Sequence, residues 1–321
     1  MQILITGSAG FIGFNLAKYL LEKSNVRIIG IDSLNNYYSK KLKKDRIKEL
    51  LKFKRFSFFH TNILNKKKVE KIFKIKKIDY VINLAAQAGV RYSLEKPNEF
   101  VDNNIQGFYN LIDVAKNFKI KKFIYASSSS IYGDSKKFPL KETQNVKPKN
   151  IYALSKKINE EMAEVFSKQY NIPFIGLRFF TVYGEWGRPD MFILKYLKTA
   201  HQDKDFIFFN KGNYYRDFTY IKDAIRLIEP IIFLKKNFFK KHEIFNVCSD
   251  RPIKLSKVYE KLNKLIQHKK LRHEKKNNLD VFKTHGSNLK LSKFSKKFKF
   301  TEFDDALFKT FKWFKHNKNL L

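Results

Sequence analysis

Apolar and polar positions change their period along the chain, and these changes predict strands and helices in regular alternation. Short runs rich in Ile, Val, Leu and Phe suit strands that are buried on both faces. Longer segments with apolar residues three or four apart suit helices that cover one side of a sheet. The succession predicts an α/β fold built on a doubly wound parallel sheet. The predicted strands are 3–5, 27–31, 55–60, 79–84, 122–126, 172–178, 206–210 and 243–247, and the predicted helices are 11–22, 40–51, 69–76, 97–119, 150–168, 191–200, 223–234, 255–268 and 303–315.

Three glycines, Gly7, Gly10 and Gly13, lie between the first predicted strand and the first predicted helix. Glycines here allow a sharp turn, close approach of backbone N–H groups to a pyrophosphate, and tight packing of the helix on the sheet. The N-terminus of that helix attracts the same anion. Asp32 ends the second strand, where a carboxylate accepts hydrogen bonds from the adenosine ribose hydroxyls. Because Asp32 would repel a 2′-phosphate, the pattern predicts binding of NAD rather than NADP.

Two further strand ends carry residues suited to a reaction on a bound dinucleotide. The small residues Ala85 and Ala86 follow the fourth strand, where a flat cofactor can lie against the backbone. Serines occupy 127–130 after the fifth strand, and Tyr152 and Lys156 lie one turn apart on the next helix. The ordinary pKa of a tyrosine is about 10, and an adjacent ammonium and a positive nicotinamide ring would both lower it. The pattern therefore predicts a serine that holds a substrate oxygen while Tyr152 moves the proton.

The composition changes this picture little. The chain has 321 residues, of which 43% are hydrophobic, and a formal net charge of +36. The lysines are spread along the whole sequence and accompany no nucleic-acid-binding motif, so we expect nonspecific nucleic acid binding at low salt and no specific nucleic acid partner. The charges of the predicted helix 40–51 are expected to form a solvated face.

Targeting and redox features favour the cytoplasm. No apolar run approaches the ~20 residues of a membrane span, so no membrane partner is expected. The first strand begins almost at Met1, and we therefore expect no signal peptide. Cys248 is the only cysteine, which suits a reducing compartment, and it is expected to be a small buried residue. No metal site is expected.

We expect the chain to fold as two interleaved parts. Residues 1–178 are predicted to form an NAD-binding Rossmann domain, to which 217–250 return. Residues 179–321 are predicted to form a smaller α/β substrate-binding domain, since the sequence after the sixth strand changes to a loop with Gly184, Gly187 and Pro189.

The glycine spacing, a serine after the fifth strand and the Tyr152-x-x-x-Lys156 pair resemble the extended short-chain dehydrogenase/reductase family, over essentially the whole chain. That family contains NAD-dependent nucleotide-sugar epimerases and dehydratases. The resemblance implies that Tyr152 and Lys156 are catalytic. It also implies that the catalytic serine is Ser128, four residues before Tyr132. The alternatives one residue away are Ser127 and Ser129.

The resemblance also implies which residues contact the cofactor and a sugar nucleotide. Arg216, in the run Arg-Asp-Phe-Thr-Tyr, matches an arginine that holds the diphosphate, and Lys156 is expected to bond the nicotinamide ribose as well. The family often forms a homodimer through a four-helix bundle, which the helices from 97 and from 150 would supply. The implied NAD contacts are Gly7, Gly10, Phe11, Ile12, Gly13, Asp32, Asn62, Ile63, Leu84, Ala85, Ala86, Asn103, Tyr152, Lys156 and Phe180, and the implied substrate contacts are Arg91, Ser93, Thr181, Arg188 and Arg216.

Three stretches, at 31–38, 87–93 and 178–191, resemble the UDP-glucuronate 4-epimerases within that family. The activity this implies is epimerisation at C4 through a 4-keto intermediate, with NAD regenerated in each cycle. A uronic acid carries a carboxylate, and Arg91 and Arg188 are suited to pair with it, with Thr181 as a neutral donor. These contacts would also restrain the carboxylate of the β-keto acid intermediate from leaving as CO2.

The sequence departs from the family pattern in three places. Asn62 stands where an aspartate is usual, although its side-chain oxygen still accepts a hydrogen bond, and Lys222 replaces an acid beside Asp223. An Arg-x-Gly-Asp-like run is expected near 277–280, where the sequence reads Asn-Asn-Leu-Asp. The phosphate contact that this run would supply is expected from Lys275 or Lys276 instead.

Several other activities fit part of the pattern. A 4,6-dehydratase is disfavoured, because Ser129 and Ser130 stand where it needs an Asp-Glu pair. A UDP-glucuronate decarboxylase shares the oxidation step. An epimerase for UDP-glucose or UDP-N-acetylglucosamine would not depend on Arg91 or Arg188. A non-catalytic nucleotide- or nucleic-acid-binding protein would not need the serine, tyrosine and lysine together.

Overall fold

Seven parallel strands form the central sheet. The computed structural model describes residues 1–235, 238–239, 241–275, 281–295 and 298–321. The strands are β1 (Gln2–Thr6), β2 (Arg27–Asp32), β3 (Phe56–His60), β4 (Tyr80–Asn83), β5 (Lys122–Ser128), β6 (Phe174–Phe179), β7 (Thr181–Tyr183), β8 (Phe206–Phe209), β9 (Tyr215–Tyr220), β10 (Glu243–Val247), β11 (Pro252–Lys254) and β12 (Leu271–Glu274). The order across the central sheet is β10-β6-β5-β4-β1-β2-β3. This confirms the predicted α/β fold, and the strand order reverses between β1 and β4, where such folds bind ligands.

Helices cover both faces of the sheet, because successive strand residues point to opposite sides. The helices are α1 (Phe11–Lys23), α2 (Lys40–Leu51), α3 (Lys66–Ile75), α4 (Tyr92–Glu95), α5 (Pro97–Phe100), α6 (Gly107–Ala115), α7 (Ile151–Tyr170), α8 (Phe192–His201), α9 (Ile221–Phe233), α10 (Leu255–Ile266), α11 (Leu289–Ser292) and α12 (Phe303–Asn317). Leu4 packs in the apolar cluster that includes residues of α3, α6 and α7, whereas Ile3 and Ile5 pack in the cluster that includes residues of α1, α8 and α9.

Five strands form two smaller sheets. β9 lies between β7, which is parallel to it, and β11, which is antiparallel, while β8 and β12 pair in parallel. β10 returns to the central sheet beside β6, as predicted for 243–247. The return begins later than the predicted residue 217, because 217–220 belong to β9 of the three-stranded sheet. The division of the chain into domains at 178 stays a prediction.

The predicted helix 97–119 is interrupted. A π-helical stretch, Val101–Gln106, separates α5 from α6, which ends at Ala115. Inside this stretch the Asn104 side chain accepts a hydrogen bond from the backbone N–H of Gln87 at 2.7 Å and donates one to its carbonyl at 3.0 Å. The wider turn thus fixes the loop that follows β4, an arrangement that apolar periodicity does not reveal.

The charged residues of α2 do not all face solvent, contrary to the expectation for 40–51. Lys43 is 5% exposed and Arg46 is 0% exposed. The Lys43 ammonium donates to the backbone carbonyl and the side-chain oxygen of Asn35, at 2.8 and 2.6 Å. The physical reason is that α2 packs against the loop after β2 and the glycine-rich turn, where Asn35 accepts hydrogen bonds from Lys43 and the carbonyl of Ala9 accepts one from Arg46.

No helix in the described part of the chain is long and apolar enough to cross a membrane.

Candidate active site

One cavity of about 740 Å³ opens at the carboxyl ends of the central strands. It brings together residues that lie far apart in sequence, as expected where a parallel sheet reverses its strand order. Every predicted site residue lines it except Ser93. These residues are Gly7, Gly10, Phe11, Ile12, Gly13, Asp32, Asn62, Ile63, Leu84, Ala85, Ala86, Arg91, Asn103, Ser128, Tyr152, Lys156, Phe180, Thr181, Arg188 and Arg216.

The glycine-rich turn forms a cradle with no room for side chains. A Cβ on Gly13 would lie 2.2 Å from the carbonyl oxygen of Gly7, and a Cβ on Gly7 would lie 2.7 Å from the backbone nitrogen of Ala85. Gly7 also has a φ of +71°, which favours glycine. Gly10 caps α1 without a side-chain hydrogen bond, so the first N–H groups of the helix are available to an anion. The turn therefore fits a dinucleotide pyrophosphate.

Asp32 lies beside this turn and binds its backbone. One carboxylate oxygen accepts from the N–H of Ala9 at 3.0 Å, and the other accepts from the N–H of Leu34 at 2.8 Å. Burial raises the pKa of Asp32, and these N–H groups together with Lys43 and Arg46 oppose the rise. The remaining lone pairs fit ribose hydroxyl donors.

Lys43 is a residue of this region that the sequence reasoning missed. Its side chain lines the cavity, and its positive charge lies close enough to Asp32 to interact with it. Burial lowers the pKa of Lys43 to about 8, and Asp32 opposes the change. Its spacing on α2 carried a weak signal, because Lys43, Arg46 and Leu50 share one helix face that is buried.

Ser128, Tyr152 and Lys156 meet in the same cavity. Ser128 ends β5, and the side chain of Asn150 caps α7 by accepting from the N–H of Ala153 at 2.9 Å, which puts Tyr152 in the first turn of α7. The Lys156 ammonium donates to the carbonyl of Ala126 at 3.0 Å. Burial lowers the pKa of Lys156 to about 8. The arrangement brings together a hydroxyl donor, a phenol and a cation at the end of β5.

Ser127 is committed to a different network. Its hydroxyl donates to Glu160 at 2.6 Å, and Glu160 forms a buried, two-pronged ion pair with Arg178 at 2.9 and 2.8 Å. Alternate strand residues point to opposite faces, so Ser127 and Ser128 serve different sides of β5. The Ser128 hydroxyl accepts from the N–H of Ser130 at 3.1 Å. Ser127 and Ser129 also line the cavity, but the bond from Ser127 to Glu160 supports Ser128 over Ser127.

Arg188 is paired with a neighbouring carboxylate. Its Nε donates to one oxygen of Asp190 at 3.0 Å and its Nη2 donates to the other at 2.5 Å. The Tyr37 hydroxyl donates to Asp190 at 3.0 Å, and the Arg188 guanidinium lies 5.5 Å from the centre of the Tyr37 ring. Burial opposes ionisation of Asp190, but Arg188 and Tyr37 outweigh it and hold the pKa of Asp190 below its ordinary value. All three side chains line the cavity.

The other predicted substrate residues that line the cavity are Arg91, Arg216 and Thr181, and each has different neighbours. The Arg91 guanidinium lies 3.8 Å from the centre of the Phe209 ring, in the cavity wall. Arg216 donates to the carbonyl of Tyr215 at 2.9 Å. Thr181 begins β7 and lines the cavity.

Ser93 requires a correction. It is 0% exposed, does not line the cavity, and donates its hydroxyl to the carbonyl of Val90 at 2.6 Å. Its position in the first turn of α4 directs the hydroxyl back to the preceding loop. Ser93 therefore supports the loop that carries Arg91.

Of the three departures from the family pattern, the structure describes those at Asn62 and Lys222, whereas 277–280 lie outside the described residues. Asn62 lines the cavity, and its side-chain oxygen accepts from the N–H of Leu64 at 2.9 Å, which leaves one lone pair for a ligand. Lys222 pairs with Glu185 at 3.1 Å. Lys275 is exposed, and Lys276 with 277–280 lies outside the described residues. Cys248 is buried, as predicted.

In the described ranges, no group of three or more His, Cys, Asp or Glu side chains is arranged to hold a metal ion.

Comparison with known proteins relates most of the chain to one family. Residues 3–248 match the NAD dependent epimerase/dehydratase family. A UDP-glucuronate 4-epimerase from Thermodesulfobacterium geofontis is 37% identical over 322 residues, which cover 99% of this chain and 97% of the relative. The protein CapI from Staphylococcus aureus is 40% identical over 298 residues, which cover 88% of this chain and 87% of CapI.

A solved structure agrees with these relatives. The UDP-glucuronic acid 4-epimerase from Bacillus cereus, in complex with UDP-glucuronic acid and NAD, superposes with a TM-score of 0.92. Its sequence is 32% identical, and the match covers 98% of this chain and 99% of that one. The similarity therefore extends over the central sheet and both smaller sheets.

Proposed function

The chain belongs to the NAD-dependent epimerase/dehydratase family, and on that premise we propose that it is a UDP-glucuronate 4-epimerase, converting UDP-glucuronate to UDP-galacturonate. The observation that carries the proposal is a single cavity lined by Tyr152 and Lys156, by the glycine-rich turn, and by Arg91 and Arg188. The first two residues suit oxidation at a hydroxyl, and the two arginines suit a sugar that bears a carboxylate.

NAD is the cofactor, and it supplies removal and return of the hydride at C4. The glycine-rich turn and the uncapped N-terminus of α1 would hold its pyrophosphate, and Asp32 would accept from the adenosine ribose. Asn62 and Ile63 line the cavity just past the end of β3, next to β2, which Asp32 ends. Leu84 to Ala86 follow β4, between the turn after β1 and Ser128 at the end of β5, whereas Phe180 follows β6 on the other side of Ser128. Asn103 lines the same cavity.

The catalytic steps on the sugar belong to three side chains of this protein. Tyr152 takes the proton from the 4-hydroxyl and later returns it, acting first as base and then as acid. The Lys156 ammonium stabilises the tyrosinate form of Tyr152 by its positive charge. Ser128 donates a hydrogen bond to the sugar O4, which orients it toward Tyr152. Arg216 is suited to the diphosphate of the nucleotide.

The carboxylate of the substrate requires a second set of contacts. The 4-keto intermediate is a β-keto acid, and it loses CO2 when the bond to the carboxylate lines up with the π system of the ketone. Arg188 and Arg91, with Thr181 as a neutral donor, would hold the carboxylate away from that alignment. The same contacts would distinguish a uronic acid from a neutral hexose.

A UDP-glucuronate decarboxylase is the second candidate. The observation that favours it is the pairing of Arg188 with Asp190, which competes with a substrate carboxylate for the same guanidinium. Both enzymes share the oxidation step at C4, and they differ in whether CO2 leaves before the hydride returns.

We also propose that the protein is a cytoplasmic homodimer. Apolar side chains are exposed along α7 and the neighbouring helical segment: Leu154 is 43% exposed, Val165 57% and Val101 45%. Tyr109 of α6 packs on Phe166 of α7, so these helices form one continuous surface. Pairing this surface with that of a second copy would bury the exposed apolar groups in a four-helix bundle.

The experiment that tests the function is incubation of the purified protein with UDP-glucuronate, followed by NMR. We expect UDP-galacturonate to accumulate to a fixed ratio without added NAD. A UDP-pentose and CO2 as the main products would support the decarboxylase. Turnover of UDP-glucose or UDP-N-acetylglucosamine, with UDP-glucuronate unchanged, would contradict the assignment of Arg91 and Arg188 to a carboxylate.

A further inference from the structure

Arg46 is a fully buried cation that the steps above do not use. It lies on α2 and is 0% exposed. One terminal nitrogen, Nη1, donates to the carbonyl of Ala9 and to the hydroxyl of Tyr38, both at 2.7 Å. The other, Nη2, donates to the carbonyls of Trp186 and Gly187, at 2.5 and 3.0 Å.

These acceptors belong to two functional loops. Ala9 is part of the glycine-rich turn, and its N–H donates to Asp32, so Arg46 and Asp32 bind the two polar groups of one residue. Trp186 and Gly187 immediately precede Arg188. A single guanidinium therefore connects the turn that fits the cofactor to the loop that carries Arg188.

Arginine suits this connection for a geometric reason. Its planar fork presents donors in fixed directions from separate nitrogen atoms and can bond two loops at once, whereas a lysine presents all its donors from a single nitrogen atom. The direct acceptors of Arg46 are neutral, so its burial costs free energy that apolar packing would avoid, and the nearby Asp32 carboxylate offsets only part of that cost. The cost is explained if the fixed distance between the two loops matters for function.

We propose that Arg46 is a positioning residue that fixes the loop of Arg188 relative to the glycine-rich turn and thereby keeps the carboxylate on the 4-keto intermediate. The proposal rests on the proposed function. When the carboxylate is lost, the C5–C6 bond breaks, its electron pair forms the enolate of the C4 ketone, C6 leaves as CO2, and water supplies a proton to C5. A loop that moves away from the turn would let the carboxylate reach the alignment that this loss requires.

The chain offers a matched control in Arg55. Like Arg46, Arg55 donates to several backbone carbonyls, those of Leu21, Ser24 and Val26 at 2.6, 2.5 and 3.2 Å. Those acceptors lie at the end of α1 and the start of β2, at the opposite ends of these elements from the cavity. The variants R46K and R55K therefore make the same chemical change at a linking and at a non-linking arginine.

Two measurements separate the possibilities. The first is acrylamide quenching of tryptophan fluorescence in the purified protein, since Trp186 and Trp313 are its only tryptophans and their rings lie 5.5 Å apart. The second is the partition of UDP-glucuronate between UDP-galacturonate and products that have lost CO2, measured by NMR. We expect R46K to increase quenching and to raise the decarboxylated fraction about tenfold, while R55K keeps the wild-type values of both.

A second variant guards against misfolding of R46K. In G187A the new Cβ would lie 2.8 Å from the carbonyl of Gly184, so it displaces the same loop without touching α2. It should raise the decarboxylated fraction as R46K does. Wild-type partition in a folded R46K or in G187A would overturn the proposal, as would an equal change in R55K. If wild-type protein leaves UDP-glucuronate unchanged, the proposed function itself is wrong. Unaltered quenching in R46K would overturn a different point, namely that Arg46 links the two loops.

Discussion

Asp190 holds Arg188 through two hydrogen bonds, from Nε at 3.0 Å and from Nη2 at 2.5 Å. Two parallel donors to one carboxylate are the geometry in which arginine also binds a ligand carboxylate. Asp190 therefore occupies the donors that a uronic acid would use, and substrate must displace it or share them.

Replacing Asp190 should accordingly strengthen binding of the acidic substrate. We expect D190N to lower the KM for UDP-glucuronate about fivefold, because an amide competes less well than a carboxylate for the guanidinium. Steady-state kinetics with UDP-glucuronate measure the change, and Y37F, which removes only one bond to Asp190, serves as the control. A higher KM in D190N would instead mean that Asp190 orients Arg188 in the complex.

The two serines at the end of β5 predict opposite phenotypes. S128A should lower kcat about 100-fold with little loss of stability, because it removes a donor to the reacting oxygen. S127A should lower the free energy of unfolding by about 2 kcal/mol, since Glu160 loses a buried hydrogen bond. Urea unfolding and initial rates on both variants test this, and the reverse pattern would assign the catalytic role to Ser127.

Lys156 is expected to lower the stability of the folded chain while being required for turnover. Burial lowers the pKa of Lys156 from 10.5 to about 8, so its charged form is disfavoured in the folded chain. K156M should abolish turnover, yet raise the free energy of unfolding of nucleotide-free protein by about 3 kcal/mol at pH 7.

This difference has a definite pH dependence. Between about pH 8 and pH 10.5 the unfolded chain binds the lysine proton and the folded chain does not, so the wild type gains stability with rising pH. The advantage of K156M should be complete below pH 8 and shrink through that window. Urea unfolding at pH 7, 9 and 10 measures it, and an advantage that does not depend on pH would contradict the burial of a charged lysine.

The proposed dimer can be tested on α7. V165E places a charge on a side chain that is 57% exposed on the predicted interface and should yield monomers in sedimentation experiments. F308E changes an apolar side chain of α12 that is 46% exposed elsewhere, and it should leave the oligomeric state unchanged. A monomeric wild type, or a V165E variant that sediments as wild type does, would refute the bundle.

The central sheet and much of the cavity could be predicted from the sequence, because the features that form them are set by residues close together in the chain. Each of these patterns lies within one turn or one strand: the glycine spacing, the strand end at Asp32, and the four-residue spacing of Tyr152 and Lys156. Parallel strands then bring these residues to one edge without further information.

The rest depends on contacts between distant segments. The sequence predicted Arg46 and Lys43 to be solvated charges. Helix periodicity does not show which carbonyl groups of another loop face the helix. Ser93 and Ser127 are hydroxyls of the expected type whose partners, Val90 and Glu160, are set by local chain direction and by tertiary packing. The pairing of Asp190 with Arg188 required side-chain geometry.

The packing of Trp186 against Trp313 has a consequence for how the enzyme is made. Trp186 precedes Arg188, whereas Trp313 belongs to α12, the last long helix of the described chain. A ribosome delivers the N-terminal sheet first, and domains begin to fold as they emerge. The cofactor turn can therefore form while α12 is still being translated, but the loop of Arg188 acquires its final support only when α12 emerges. Premature termination before α12 should leave a nascent chain that has its cofactor turn but lacks a finished substrate loop.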